Sequence, residues 1–132
     1  MQLPTDLPAG TARTVVTSDS DLAVPLIDDR IMRDWCDDMD HEDVVAILAR
    51  VPHEGAKSLA DLYKSIKDGD LALARRSAHR LKGMANNLGA ARLARVARAI
   101  ELESPGIEEV SRRMPTLEQT LGETLEALRS RC

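Results

Sequence analysis

Residues 69–101 read GDLALARRSAHRLKGMANNLGAARLARVARAIE, and this stretch sets the architecture. Asp70, behind Gly69, is placed to cap a helix, and Gly89 is placed to end it, at the limit of a run whose apolar and small residues recur three and four apart. Ala90 to Glu103 supplies a second helix with Leu93, Val96, Ala97 and Ile100 inward, before Ser104-Pro105-Gly106 turns the chain. A helical hairpin of this kind must bury its apolar stripes against further helices.

Those helices are legible on either side. Upstream, Val44, Leu48, Val51, Gly55, Leu59, Leu62 and Ile66 form one stripe whose register survives Pro52, which predicts a single kinked helix over about Asp40 to Asp68. Asp40 is its expected N-cap, Glu42 and Asp43 suit its positive first turn, and Gly69 suits its end. Downstream, Val110, Met114, Leu117, Leu121, Leu125 or Thr124, and Leu128 repeat the pattern, with Pro115 as a kink or restart. A short helix over Leu26 to Met39 carries Ile31, Met32, Trp35 and Met39 on one side, capped by Asp28 or Asp29. The fold class expected is all-α, an antiparallel four-helix bundle preceded by a short N-terminal helix. Residues 1–25, with Pro4, Pro8 and Pro25 and no apolar period, read as an extended or disordered segment ahead of a bundle domain over 26–132.

Composition narrows the function classes. The chain has 132 residues, 43% of them hydrophobic, with one Trp, one Tyr and no Phe, so a single domain with an aliphatic core is expected. No apolar run approaches a membrane span, and no signal region stands at the N-terminus. Cys36 and Cys132 show no ligand or disulfide spacing, which makes a reducing cytoplasm the expected location. The scattered glycines form no phosphate-cradling loop, so no ATP site or other cofactor of its own is expected. No two of His41, His53 and His79 have a metal-ligand spacing, Ser77 falls on the buried side of its helix, and Cys36 lies among acids.

Charge is unevenly spread. Leu71 to Ile100 holds Arg75, Arg76, Arg80, Lys82, Arg92, Arg95 and Arg98 and no acid; these carry +7, so the remainder stands at −11 within a whole-chain charge of −4. Either this hairpin meets a negatively charged partner, or its arginines solubilise it and bridge to the acidic helices. Nucleic acid is disfavoured by the pI of about 5.4 and by the lack of aromatics in the stretch.

Stepping about 100° per residue puts Leu73, Ala74, Ser77, Leu81, Met84, Ala85 and Leu88 on one half of this helix. Arg75, Arg76, Lys82, Gly83 and Asn86 cluster about His79 on the other. An outward imidazole among cations keeps a nucleophilic lone pair, and the same cations could neutralise a phosphoryl group placed on it. Nε2 is the more accessible nitrogen, and Lys82 stands one helical turn away. Gly83, in mid-helix at a cost of about 1 kcal/mol relative to Ala, leaves room there for a docking protein.

The run Ala78-His79-Arg80-Leu81-Lys82-Gly83-Met84-Ala85-Asn86-Asn87-Leu88-Gly89-Ala90 closely resembles the signature of histidine-containing phosphotransfer (Hpt) domains, His-x-Leu-Lys-Gly followed by a Gly-Ala helix break. The resemblance is strong over Asp70 to Glu101 and extends by helical pattern over about Leu26 to Arg131. It implies a phosphocarrier rather than an autonomous kinase, a monomer that takes a phosphoryl group from a receiver aspartyl phosphate and passes it to another receiver. His79 would be the phosphoacceptor, Lys82 its charge partner, and Gly83, Arg75, Arg76, Arg80 and Asn86 the docking face. Response-regulator receivers and a hybrid histidine kinase would be the partners, with Mg²⁺ on the receiver. Val51-Pro52 departs from the phenylalanine that relatives often carry nearby. Arg80 replaces the acid typical after the histidine of kinase dimerisation helices, and no ATP-binding half follows. An interaction module that binds receivers or kinases without carrying phosphate is the alternative function.

Overall fold

The computed structural model describes residues 23–131, and among these the protein is all-helical, with no strand. Five helices lie wholly within them: α1 (Asp29–Asp38), α2 (His41–Asp68), α3 (Leu71–Leu88), α4 (Ala91–Leu102) and α5 (Ile107–Arg129). The extended segment expected over 1–25 falls almost entirely outside the described residues.

Local chemistry places the breaks. Asp28 caps α1 by accepting a hydrogen bond from the Arg30 N–H at 3.1 Å, and Asp70 caps α3 through the Leu73 N–H at 3.0 Å. Asp40 occupies the N-cap position of α2, but its side chain makes no capping bond. Gly89, at φ +72°, ends α3, and its carbonyl accepts from the Asp28 N–H at 2.6 Å, tying the start of α1 to the α3–α4 turn. A Cβ on Gly89 would lie 3.0 Å from the Ile31 Cβ and 3.1 Å from the Asp28 carbonyl oxygen, so backbone conformation and packing both require glycine there. Pro52 and Pro115 sit on exposed faces of continuous helices. Neither ends its helix, so Pro115 does not restart α5.

Packing centres on α3, which lies most extensively against α4 and next against α2, while α5 closes on α4 and α2. Ala74, Ala78, Ala85 and Ala97 are fully buried, and their small side chains let α3 and α4 approach closely. Leu62, Leu81, Leu93, Ile100, Val110 and Leu117 fill the space between the helices. Tyr63 Oη donates to Glu118 at 2.6 Å, linking α2 to α5, and the carboxylate pushes the phenol up to about 12.

Two expectations are corrected, for Ile31 and Cys36, and one open alternative is decided, in favour of Thr124. Ile31 is exposed, because α1 turns Met32 inward and lays Ile31 over the Gly89 turn. In α5, Thr124 is the buried residue and Leu125 only half-buried; the Thr124 hydroxyl is satisfied by the Thr120 carbonyl at 2.7 Å. Cys36 is disulfide-bonded, which sequence spacing did not suggest. The chain's end nevertheless returns beside α1, as the 3.0 Å Arg131–Asp29 ion pair shows, and the other cysteine, Cys132, lies outside the described residues.

Candidate functional site

The buried positions of α3, Ala74, Ser77, Ala78, Leu81, Ala85 and Leu88, leave His79 pointing outward with its side chain 65% exposed. On the neighbouring helix, Leu93 and Ala97 are buried, and Glu101 continues their stripe one turn later at the end of α4. That position brings its carboxylate, only 15% exposed, against α3. Glu101 Oε2 lies 2.8 Å from His79 Nδ1, and Oε1 lies 2.7 Å from Lys82 Nζ. One acid thus joins two residues of α3 that sequence reading had set side by side without a link.

The Lys82 ammonium, and next the His79 ring, hold the Glu101 carboxyl below the usual carboxylate range, although partial burial opposes them. An ionised carboxylate accepts hydrogen bonds only, so the ring must donate from Nδ1. In a neutral imidazole the lone pair then resides on Nε2, the nitrogen without a partner among the described residues. Sequence had left this tautomer open.

The other residues of the predicted site are arranged less uniformly. Arg75 donates to the Ser104 carbonyl at 3.2 Å, and Arg80 pairs with Asp61 of α2 at 2.7 Å. Arg76 and Asn86 are exposed on the same helix. Gly83 is exposed, and a Cβ built on it would meet nothing within 4 Å, so the missing side chain serves no helix crossing. A hollow of about 430 Å³ opens over the histidine, lined by Arg75, Arg76, His79, Arg80 and Glu101. Beyond Gly83 a groove of about 540 Å³ runs between α1, α2 and α3, with Trp35, Ile47, Val51, Met84 and Leu88 among its walls. Several cations of the basic hairpin do bridge to acids, Arg98 to Glu103 among them, as the solubilising and bridging reading of its charge expects.

The Hpt domain family model matches residues 46–131. The chain belongs to the Hpt domain family. Among solved structures it is similar to histidine-containing phosphotransfer protein B (HptB) from Pseudomonas aeruginosa PAO1, at 23% identity and a TM-score of 0.72 over 80% of this chain and 92% of that one. No curated protein matches it. The function of this Hpt protein is histidine phosphotransfer in phosphorelay signalling, in which Hpt domains interact with receiver domains and kinases. Among the described residues, no helix is long and apolar enough to cross a membrane, and no cluster of three or more His, Cys, Asp or Glu could hold a metal ion.

Glu101 is the residue that reading the sequence missed. Its signal was an acid on the apolar stripe of α4, four residues after Ala97 and eight after Leu93. What it pairs with is set by how α4 packs on α3, which the periodicity of one helix does not contain.

Proposed function

We propose that His79 is the phosphoacceptor and that the protein carries a phosphoryl group between receiver domains. The observation that supports this most is the Glu101 bond to Nδ1, which directs the nucleophilic lone pair to the exposed Nε2. In the transfer, Nε2 attacks the phosphorus of a receiver aspartyl phosphate. An N–P bond forms as the P–O bond to the aspartate breaks, and the electron pair leaves on the receiver carboxylate. Nδ1 keeps its proton throughout, and the imidazolium formed is balanced by Glu101. Passing the group to a second receiver runs the same steps in reverse.

Lys82 clamps Glu101 and contributes positive charge one turn from the reacting nitrogen. Gly83, Arg75, Arg76, Arg80 and Asn86 form the docking face, open at Gly83 for close approach. The receiver brings the acceptor aspartate, its carboxylate cluster and Mg²⁺; this chain brings a positioned nucleophile and complementary charge. In the same reading α2 to α5 make an antiparallel four-helix bundle preceded by α1, the protein works as a monomer, and a hybrid histidine kinase charges the first receiver; the Cys36 disulfide removes the ground on which a reducing cytoplasm was expected.

The test is phosphotransfer profiling against the receivers of the source organism, with wild-type protein and His79→Gln. Acid-labile label on the wild type and none on the variant is expected, with helicity and melting unchanged because His79 is largely exposed. Label persisting on His79→Gln overturns the site assignment. Receiver binding without any label on the wild type favours an interaction module instead.

A further inference from the structure

Four cations stand within one helical turn of His79, and their engagements differ. Lys82 Nζ is held by Glu101 at 2.7 Å, is only 22% exposed, and does not line the hollow over the histidine. Arg75 reaches away to the Ser104 carbonyl at the α4–α5 turn, and Arg80 is drawn across to Asp61 on α2. Arg75, Arg76 and Arg80 are all exposed and all line the hollow with His79, but Arg76 alone of the four has no hydrogen bond or ion pair to any described residue.

The geometry points to Arg76 as the residue that binds the phosphoryl group on His79 directly, a role that rests on the reading of His79 as phosphoacceptor. A phosphoryl group on Nε2 projects into the hollow and brings negative charge that no acceptor-only neighbour can meet. Recruiting Lys82 would strip Glu101 of one of its two partners, and recruiting Arg80 would break its pair with Asp61. Arg76 gives up only side-chain freedom, and its planar fork matches two phosphoryl oxygens at once. In the uncharged protein the two cations divide the labour: Lys82 fixes Glu101, and through it the ring, while Arg76 stays open to the arriving anion.

Phosphoramidate, a small phosphodonor, labels the full chain without a receiver, its P–N bond breaking to release ammonia as the His79 Nε2–P bond forms. Discharge to a receiver that the wild type serves is then timed for Arg76→Ala, Arg76→Lys and Arg129→Ala, the last removing an equal charge at the far end of α5. Loss of the charge-assisted contact to the transferring group predicts that Arg76→Ala lowers kcat for discharge at least about tenfold, in addition to any rise in receiver KM from its place on the docking face. The ³¹P resonance of its phosphohistidine should move from the wild-type position before any receiver is added. Arg76→Lys should recover part of the rate, and Arg129→Ala should match the wild type. Wild-type kcat with an unmoved resonance in Arg76→Ala overturns the inference, as does a loss confined to KM, which makes Arg76 a docking residue only. A His79→Gln chain that still takes label from phosphoramidate overturns the reading of the acceptor itself, and no result with Arg76 can imitate that outcome.

Discussion

The α3–α4 hairpin and the α1 segment use charge in opposite ways. In the hairpin, Lys82, Arg80 and Arg98 each meet a carboxylate, and the acid between His79 and Lys82 sets the tautomer of the ring. In α1, Asp34, Asp37 and Asp38 are exposed and meet no cation among the described residues. Asp37 and Asp38 also lie at the C-terminal end of their helix, where the macrodipole disfavours negative charge. The hairpin is correspondingly the packed centre of the molecule, whereas α1 is held by its start, by the Asp29–Arg131 pair and by the Cys36 disulfide, and leaves a groove beside Trp35. In the hairpin the pairs hold the geometry around His79, whereas of the α1 acids only Asp29, at its start, is paired, with Arg131, and the acids of its later turns are not.

Core truncations should separate the two regions most widely. Leu93→Ala, in a fully buried position of α4, should cost about 2–5 kcal/mol, and Trp35→Ala, half-buried at an open groove, under about 2 kcal/mol. Urea denaturation of both variants checks this, and equal losses would mean that α1 is as integral as the hairpin.

Two glycines, six residues apart, should respond with opposite signs. Gly89→Ala meets a positive φ and close contacts with Ile31 and Asp28, so it should destabilise by about 1 kcal/mol or more. Gly83→Ala meets open space in an ordinary helix and should stabilise by up to about 1 kcal/mol. Gly83→Leu should likewise keep native circular dichroism and melting while losing most transfer, since a misplacement of about 1 Å at a reacting centre can cost on the order of a hundredfold. Unimpaired transfer by Gly83→Leu would remove Gly83 from the docking face.

Acid should weaken the hairpin's advantage. Because Glu101 is held below its ordinary value of 4.5, the stability it contributes is fully present above that pH and is lost as pH falls through its lowered folded value. Wild type and Glu101→Gln should therefore differ in urea midpoint at neutral pH and converge in acid; a gap constant with pH would show that the carboxylate's charge is not what matters. The smallest effect is expected in α1, where Asp38→Lys replaces an acid by a base in the last turn and should raise stability by about 0.3–1 kcal/mol in a thermal melt.

Much of this was legible in the sequence, and the reason differs by element. The long α2 could be read through Pro52 because its apolar stripe kept register, and the proline ring does face solvent. His79 and Gly83 could be placed because the buried half of α3 is defined by its own periodicity. Ile31 was misplaced because α1 is short and its rotation is set by contact with the Gly89 turn. Glu101 was missed, and the tautomer with it, because both depend on how two helices pack. The engagements that set Arg76 apart from its neighbours have the same origin, since each runs from α3 to another element.

One nitrogen, Nε2 of His79, carries the chemistry. Protein labelled by phosphoramidate, with ¹⁵N in its histidine rings, can be read by ¹⁵N–³¹P coupling and long-range ¹H–¹⁵N correlation. The prediction is a single phosphohistidine at His79, joined through Nε2, with Nδ1 protonated and its proton shifted by the bond to Glu101. Phosphorus coupled to Nδ1 of His79, or to any other residue, would contradict it.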